Sequence, residues 1–520
     1  MDMKELITYF LKLSVIEKSI FILIILVISI AQYLALRLRI FWSLIGIILI
    51  HVLLAVFLIR VSNYSPVIHL FYFVPAASGT ALLLLFFPIR KRNNNRNISP
   101  WEITLPVRRG KEIKLENIKR GLAIFGSAGA GKTESVFVPI IQHAAKAGVT
   151  GVNYDYKDGE LTEIVNYFYQ DSKIKTYNIV PHRPEVSHRV NPVHARYIDS
   201  PEMVNELVSV LFSNLRKKHS GDKGFFQEVP EATLSAVIWR LKSEFPFYCT
   251  LPHAIAICMV KSAKDLAKFI EPNAQSRLMA APFFDSLEAH EQMAGVKASM
   301  SNDLRKFAFP SIFYVLSKNE VDLDVNHPDS AAMLNLVNSP GKENTLSPFL
   351  ALVFTTTVKL MQQRGRLDSY LLMDEAATLN LPAFSRIPAT MRSFNIATIY
   401  SLQDKVLGTE QYGDTGIRAI LSNLNYQVIG KTNDPESVKY YKQIAEEVEK
   451  KQFSKSYGTS LIPKGETRKT ESSRETSKYK NQDFFGLDTG EFIVFSDGKD
   501  RKVQFELQSF ERTGVSSKNY

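Results

Sequence analysis

Lys132 and Thr133 close the stretch "GSAGAGKT", in which Gly126 and Gly131 stand at the spacing of a phosphate-binding loop. Each residue type has a task there. Small residues at Ser127, Ala128, Gly129 and Ala130 let backbone N–H groups turn inward as a cradle for phosphate oxygens. Lys132 reaches the β and γ oxygens of a nucleoside triphosphate, and the Thr133 hydroxyl can ligate Mg2+. The flanks agree. "GLAIF" before the loop reads as a short buried strand, and "KTESVFVPII" after it starts a helix whose N-terminus adds partial positive charge. A chance Gly-rich turn would lack both flanks. The loop says triphosphate, but not which reaction uses it.

A second constellation lies about 240 residues on, in "SYLLMDEAATL". Residues 370–373 form an apolar strand that ends in Asp374 and Glu375. With a phosphate loop upstream, Asp374 at the strand tip can hold Mg2+, and Glu375 can orient and deprotonate an attacking water. Without that loop, the pair would read equally well as acids capping the next helix. "FNIATIYSLQDKV" is a further strand, and Gln403 at its end can touch the γ-phosphate or the water. Arg386 and Arg392 lie between these strands. Either could reach a neighbouring subunit's site as an arginine finger, and a solvated or DNA-facing role suits each equally.

These groups need elements to hold them. The 520-residue chain is too long for one ordinary core, so two or three domains are expected. Residues 149–154 read as a strand with Asp155, Lys157 and Glu160 beyond its end, and "KIKTYNIV" reads as another. Strands alternating with helices imply an α/β fold with a mostly parallel sheet and ligands at the strand ends. From about residue 199 the pattern turns helical. Ser200 is an N-cap before Pro201, and Met203, Val204, Leu207, Val208 and Leu211 share one face. Ser262 and Asp265 make a capping box. The expected organisation is a membrane anchor at 1–98 and a nucleotide-binding domain in two parts, 99–198 and 326–445. An all-α domain is inserted at 199–325, and a polar loop with returning strands occupies 446–520. Residues 446–481, rich in Ser, Thr, Lys and Glu, read as a mobile loop. "SDGKD" marks a hairpin turn after it.

The net charge of +11 looks like a nucleic-acid signal, but its distribution weakens that reading. The first 100 residues hold ten basic and three acidic residues, leaving 53 against 49 for the rest. Cys249 and Cys258 are too few for a metal cluster or disulfide framework, and they read as core residues on the reducing side of a membrane. Uncharged apolar runs at 20–36, 40–59 and 67–89 approach or exceed the length that spans ~30 Å of hydrocarbon. Three transmembrane helices are expected, with two as the alternative. The basic "RLR" and "RKRNNNR" flanks face the cytoplasm and the N-terminus lies outside.

In this order the motifs resemble the conjugative coupling proteins of type IV secretion systems, a group related to septal chromosome translocases. The resemblance runs over roughly residues 118–510, apart from the insertion and the polar loop. It rests on "GSAGAGKTESVFVPII" with its early Pro139, and on "DYKDGELTEIV", which carries one extra residue. "SHRVNPV", with Asn191 and Pro192, also recurs. "LLMDEAATLNLP", "FNIATIYSLQDKVLGTEQYG" and "ILSNLNYQVI" are its most specific runs.

The resemblance implies a RecA-like P-loop ATPase with Mg2+ as cofactor, forming a homo-hexamer in the bacterial inner membrane with its motor in the cytoplasm. It implies hydrolysis-driven passage of single-stranded DNA with an attached relaxase towards the secretion channel. By the same resemblance Lys132, Glu375, Gln403 and Arg392 take catalytic roles, Arg392 as the trans finger, and Thr133 and Asp374 hold the metal. Two other readings share the motor. A septal double-strand translocase would carry a winged-helix module after it, and fewer than 80 residues follow position 445. A ring that recruits cargo without threading DNA would hydrolyse nucleotide indifferently to DNA.

Overall fold

Short apolar runs ending in a polar tip recur along this chain, and most become neighbours in one sheet. The computed structural model describes residues 98–216, 224–382, 384–445, 447–457, 467–510 and 514–515. The three apolar runs expected to span a membrane lie outside the described residues. Among the described residues, no helix is long and apolar enough to cross one.

The strands are β1 (Ile103–Leu105), β2 (Ile113–Leu115), β3 (Leu122–Phe125), β4 (Thr150–Asp155), β5 (Lys175–Ile179), β6 (Ala332–Val337), β7 (Ser369–Met373), β8 (Ile396–Leu402), β9 (Tyr426–Ile429), β10 (Glu447–Tyr457), β11 (Thr467–Ser477), β12 (Glu491–Ser496) and β13 (Lys499–Gln504). Among the described residues the main sheet runs β13-β12-β9-β3-β8-β7-β4-β6-β5. Its members from β9 to β5 are parallel, and the β12–β13 hairpin adds an antiparallel edge. The sheet is mixed. The hairpin turns through Asp497 and Gly498, both at positive φ (50° and 75°), which suits the twist of paired strands.

Helices cover both faces, so β3, β4, β6, β7, β8 and β9 are buried along their whole length. Alternate residues of β3 serve opposite layers. Leu122 and Ile124 pack with α1 (Val138–Ala147) and α2 (Glu160–Tyr169), while Ala123 and Phe125 join the larger cluster on the other face. Three buried asparagines lie side by side across β4, β6 and β5. Asn153 Nδ2 donates to Asn335 Oδ1 (2.9 Å), and Asn335 Nδ2 donates to Asn178 Oδ1 (2.8 Å). A one-residue slip of β6 would strand these amides in an apolar layer, so the ladder fixes register.

Between β5 and β6 the chain is helical: α3 (Pro201–Leu215), α4 (Phe225–Glu244), α5 (Leu251–Val260), α6 (Ala263–Ile270), α7 (Ala274–Met279), α8 (Ala281–Asp285), α9 (His290–Leu304) and α10 (Pro310–Leu316). Ser200 caps α3 by accepting the Met203 N–H (3.3 Å), and Ser262 caps α6 by accepting that of Asp265 (3.1 Å). The apolar faces of these helices share a buried cluster with α11 (Glu343–Met361) and with β3, β4 and β6. The polar stretch after residue 446 differs from the expected loop, because β10 and β11 pair as an antiparallel ribbon. A ribbon is held by its backbone ladder and needs no apolar face, so composition conceals it.

Cys249 and Cys258 are buried free cysteines. Burial pushes both thiols up to about 12, far from the thiolate form that reacts. A thiol reagent at pH 8 should therefore count no cysteine in the folded protein and two in denaturant. Rapid labelling of either in the native state would contradict this packing.

Candidate functional site

The register of β3, β8, β7 and β4 brings four strand ends into one row. Phe125 pairs with Leu402, Met373 with Tyr400, and Tyr154 with Met373. The residues at or just past these ends therefore face one edge of the sheet: Gly126, Gln403, Asp374 and Asp155. All eight residues expected to cradle phosphate, Gly126 to Thr133, lie at this edge.

Local geometry explains the loop's composition. Gly129 and Gly131 hold φ of 78° and 85°, in the left-handed region that glycine enters freely. A Cβ on Gly131 would also come within 3.1 Å of the Gly490 nitrogen. Ser127 N–H donates to Lys431 O (2.7 Å), and Gly126 N–H to Gln403 O (3.2 Å). After the loop, Thr133–Phe137 takes one π-helical turn in which Val138 N–H donates to Thr133 O. Pro139, which has no N–H, then sits in the first turn of α1. The Thr133 side chain is buried against this turn.

Lys132 is 6% exposed, and its Nζ donates to Leu402 O at 3.1 Å. Burial depresses its pKa, against the pull of Glu375 and Asp374. Asp374 and Glu375 are 3% and 2% exposed. Burial holds the Glu375 carboxyl above its ordinary range, partly offset by Lys132 and reinforced by Asp374. Its Oε1 accepts the Gln403 backbone N–H at 3.3 Å. Its Oε2 is buried with no hydrogen-bond partner among the described residues. Gln403 thus reaches the acid through its main chain, a contact that reading its side-chain type could not supply.

Glu375 also stands at φ 47°, ψ 53°, a left-handed conformation that costs a β-carbon residue roughly 1–2 kcal/mol. Asparagine tolerates that region better. Glu375→Asn is expected to raise folding stability by roughly 1 kcal/mol. Denaturant unfolding checks it, and an unchanged or lower midpoint would contradict the strain.

Two residues of the β4 loop join the site. Lys157 Nζ lies 3.9 Å from Asp374 Oδ2 and 3.6 Å from Glu160 Oε2. Burial works against its ammonium, but Asp374, Glu160 and Glu375 outweigh it and the pKa rises. Asp155 is fully buried and accepts N–H bonds from Lys157 (3.0 Å) and Thr162 (2.8 Å), shaping the turn. Burial pushes its carboxyl up to about 6.

Arg392 is not brought here. It precedes β8, at the opposite end of the strand from Gln403, and its Nη2 donates to Arg120 O (3.1 Å) and Asn423 O (2.7 Å) of its own chain. Arg386 is exposed at the start of α12 (Ile387–Met391). Sequence reasoning missed a further partner. Thr489 Oγ1 donates to Gly129 O (2.9 Å), Gly490 N–H to Ala130 O (3.0 Å), and Gln508 N–H to Glu134 O (3.1 Å). A segment some 360 residues downstream straps the loop, and no local motif announces it.

The edge therefore gathers the glycine-rich loop, the buried Lys132 and the more exposed Lys157 opposite Asp374 and Glu375, and a carboxylate oxygen left open. A family model described as the type IV secretion-system coupling protein DNA-binding domain matches residues 112–482. No curated protein matches the chain. Among solved structures, the chain is similar to the bacterial conjugative coupling protein TrwBdeltaN70 in its unbound monoclinic form, with TM-score 0.63 and 14% identity over 80% of this chain and 91% of that one. It is also similar to plasmid coupling protein TrwB with the non-hydrolysable ATP analogue ADPNP (TM-score 0.59, 14% identity, 77% and 89% covered). The TrwB complex with ADP and Mg2+ gives TM-score 0.59 and 14% identity, with 77% and 88% covered. At such identity the likeness establishes the fold.

Proposed function

The chain belongs to the type IV secretion-system coupling protein family, and from that premise we propose that it is the ATP-hydrolysing motor that carries a DNA–relaxase substrate to the secretion channel. The observation that carries the hydrolytic part is the buried pair Asp374–Glu375 beside Lys132, with Glu375 Oε2 open to a further partner.

ATP is the substrate. The Gly126–Thr133 cradle takes its phosphates, and Lys132 leaves Leu402 O to meet them as a point charge. Thr133 and Asp374 fit a hard cation in donor chemistry, since a hydroxyl and a carboxylate suit Mg2+. When bound, Mg2+ neutralises the phosphate oxygens during transfer. Glu375, its pKa raised by burial, accepts a proton from water more readily than an exposed carboxylate would. The Gln403 N–H keeps that carboxylate oriented, and Lys157 balances charge at Asp374.

In this reading the subunits form a RecA-like hexamer anchored in the bacterial inner membrane by the apolar runs before residue 98, with DNA gripped through its phosphates and little regard to sequence. Arg392 could act in trans only after giving up its two carbonyl partners. The test is the ATPase rate with and without single-stranded DNA at two salt concentrations, with Lys132→Ala and Glu375→Gln as controls. Stimulation by DNA that salt weakens and both substitutions abolish is expected. Hydrolysis indifferent to DNA, in assembled rings, would instead favour a cargo receptor that does not thread DNA.

A further inference from the structure

We propose that Tyr154 is a positioning residue for Glu375, holding the carboxylate in place through the Thr378 hydroxyl. The proposal rests on the reading of Glu375 as the base of nucleotide hydrolysis.

Glu375 is poorly held at its head. Its one carboxylate hydrogen bond among the described residues is the long one from Gln403, and its left-handed backbone is costly. A residue in such a conformation persists only where its surroundings over-determine it. The restraint here comes from behind. Thr378 N–H and Thr378 Oγ1 both donate to Glu375 O, at 3.0 and 2.7 Å. A hydroxyl has one hydrogen. With that hydrogen on Glu375 O, Thr378 Oγ1 must accept from Tyr154 OH, 2.6 Å away. Tyr154 OH in turn accepts from Asn338 Nδ2 at 2.8 Å, and Asn338 Nδ2 also reaches Ser347 Oγ at 3.0 Å. Every hydrogen in the chain Asn338, Tyr154, Thr378, Glu375 therefore points the same way.

Tyr154 holds the other acid as well. Its carbonyl accepts the Asp374 N–H at 3.0 Å, so one residue of β4 fixes the main chain of both carboxylates. The ring is fully buried, and burial drives the phenol pKa upward, which keeps the hydroxyl a donor at any working pH. Neither Tyr154 nor Thr378 needs to touch substrate. Their effect is on where the Glu375 oxygens stand, and a shift of about 1 Å in a reacting group can cost about 100-fold in rate.

The experiment uses the full chain with ATP and Mg2+. Tyr154→Phe keeps the packed ring and removes the hydroxyl. The expected result is kcat lowered about 10- to 100-fold, with KM and the affinity for a non-hydrolysable ATP analogue unchanged. Thr378→Val should match it, Thr378→Ser should restore turnover, and the double substitution should cost no more than either single one, because both break the same link. Rates are expressed per analogue-binding site, so loss of folded protein does not count as loss of kcat. Wild-type kcat per site in Tyr154→Phe and Thr378→Val, whatever their thermal stability, would overturn the proposal. If Tyr154→Phe fails to fold, the Thr378 pair decides. Glu375→Gln separates the two levels: normal hydrolysis there removes the reading of the base itself. Lost hydrolysis there with normal Tyr154→Phe turnover removes only the positioning role.

Discussion

Glu375→Gln is expected to bind ATP as the parent does and to hydrolyse it about 100- to 10,000-fold more slowly, the range for loss of a positioned base. The substitution keeps the side chain's length and an oxygen to accept the Gln403 N–H. It removes the charge that most strongly attracts the buried Lys132 ammonium, with Asp374 remaining. Phosphate-binding groups are otherwise untouched, so analogue affinity should stay within about threefold while single-turnover phosphate release collapses. Release at the parental rate would mean that another group activates the water. A parallel collapse of affinity would mean that Glu375 shapes the phosphate cradle instead.

Lys132→Ala is expected to fail at both levels. The ammonium is enclosed, hydrogen-bonded to Leu402 O and drawn by the Glu375 and Asp374 carboxylates. Removing a single preorganised donor to a developing charge costs about 100- to 1,000-fold in rate. Here the ground state suffers too, because the same lysine meets the bound phosphates. Analogue affinity should drop at least about tenfold, roughly 1.4 kcal/mol or more. Fold should survive, since the loop is held by main-chain bonds from Lys431, Gln403 and Gly490 that do not involve the lysine. Isothermal titration beside an unfolding curve separates these outcomes. Retained affinity would remove Lys132 from the phosphate site.

The two substitutions touch the parts of the site that were most legible in sequence, and for a physical reason. A phosphate cradle needs glycine at fixed offsets, and a strand tip bearing two acids needs only its own apolar run. Gly126, Lys132, Asp374 and Glu375 could be picked out as candidates because their requirements are local. Ser200 and Ser262 were legible as caps in the same way. Other contributions are not local. Lys157 approaches Asp374 only because β4 pairs with β7, and Gln403 serves Glu375 through an amide that every residue but proline possesses. Arg392 has the right type and chain position for a finger, but its carbonyl partners within its own chain, at the far end of its strand, could be read only from the fold. The β10–β11 ribbon lacked an apolar period, so its composition resembled a solvated loop. Tyr154 looked like one more strand aromatic until its hydroxyl found Thr378.

The strap from Thr489, Gly490 and Gln508 gives the order of synthesis a consequence. A ribosome delivers Lys132 some 360 residues before Gly490, a gap of roughly 20–70 s at about 5–20 residues per second. During that interval the nascent chain carries every glycine of its phosphate loop but lacks the bonds from Thr489 and Gly490 that strap it. A stalled or clipped translation product ending before residue 489 would therefore compete poorly for cellular nucleotide. Partial chains would then be less able to idle as wasteful hydrolases or to poison assemblies of finished subunits.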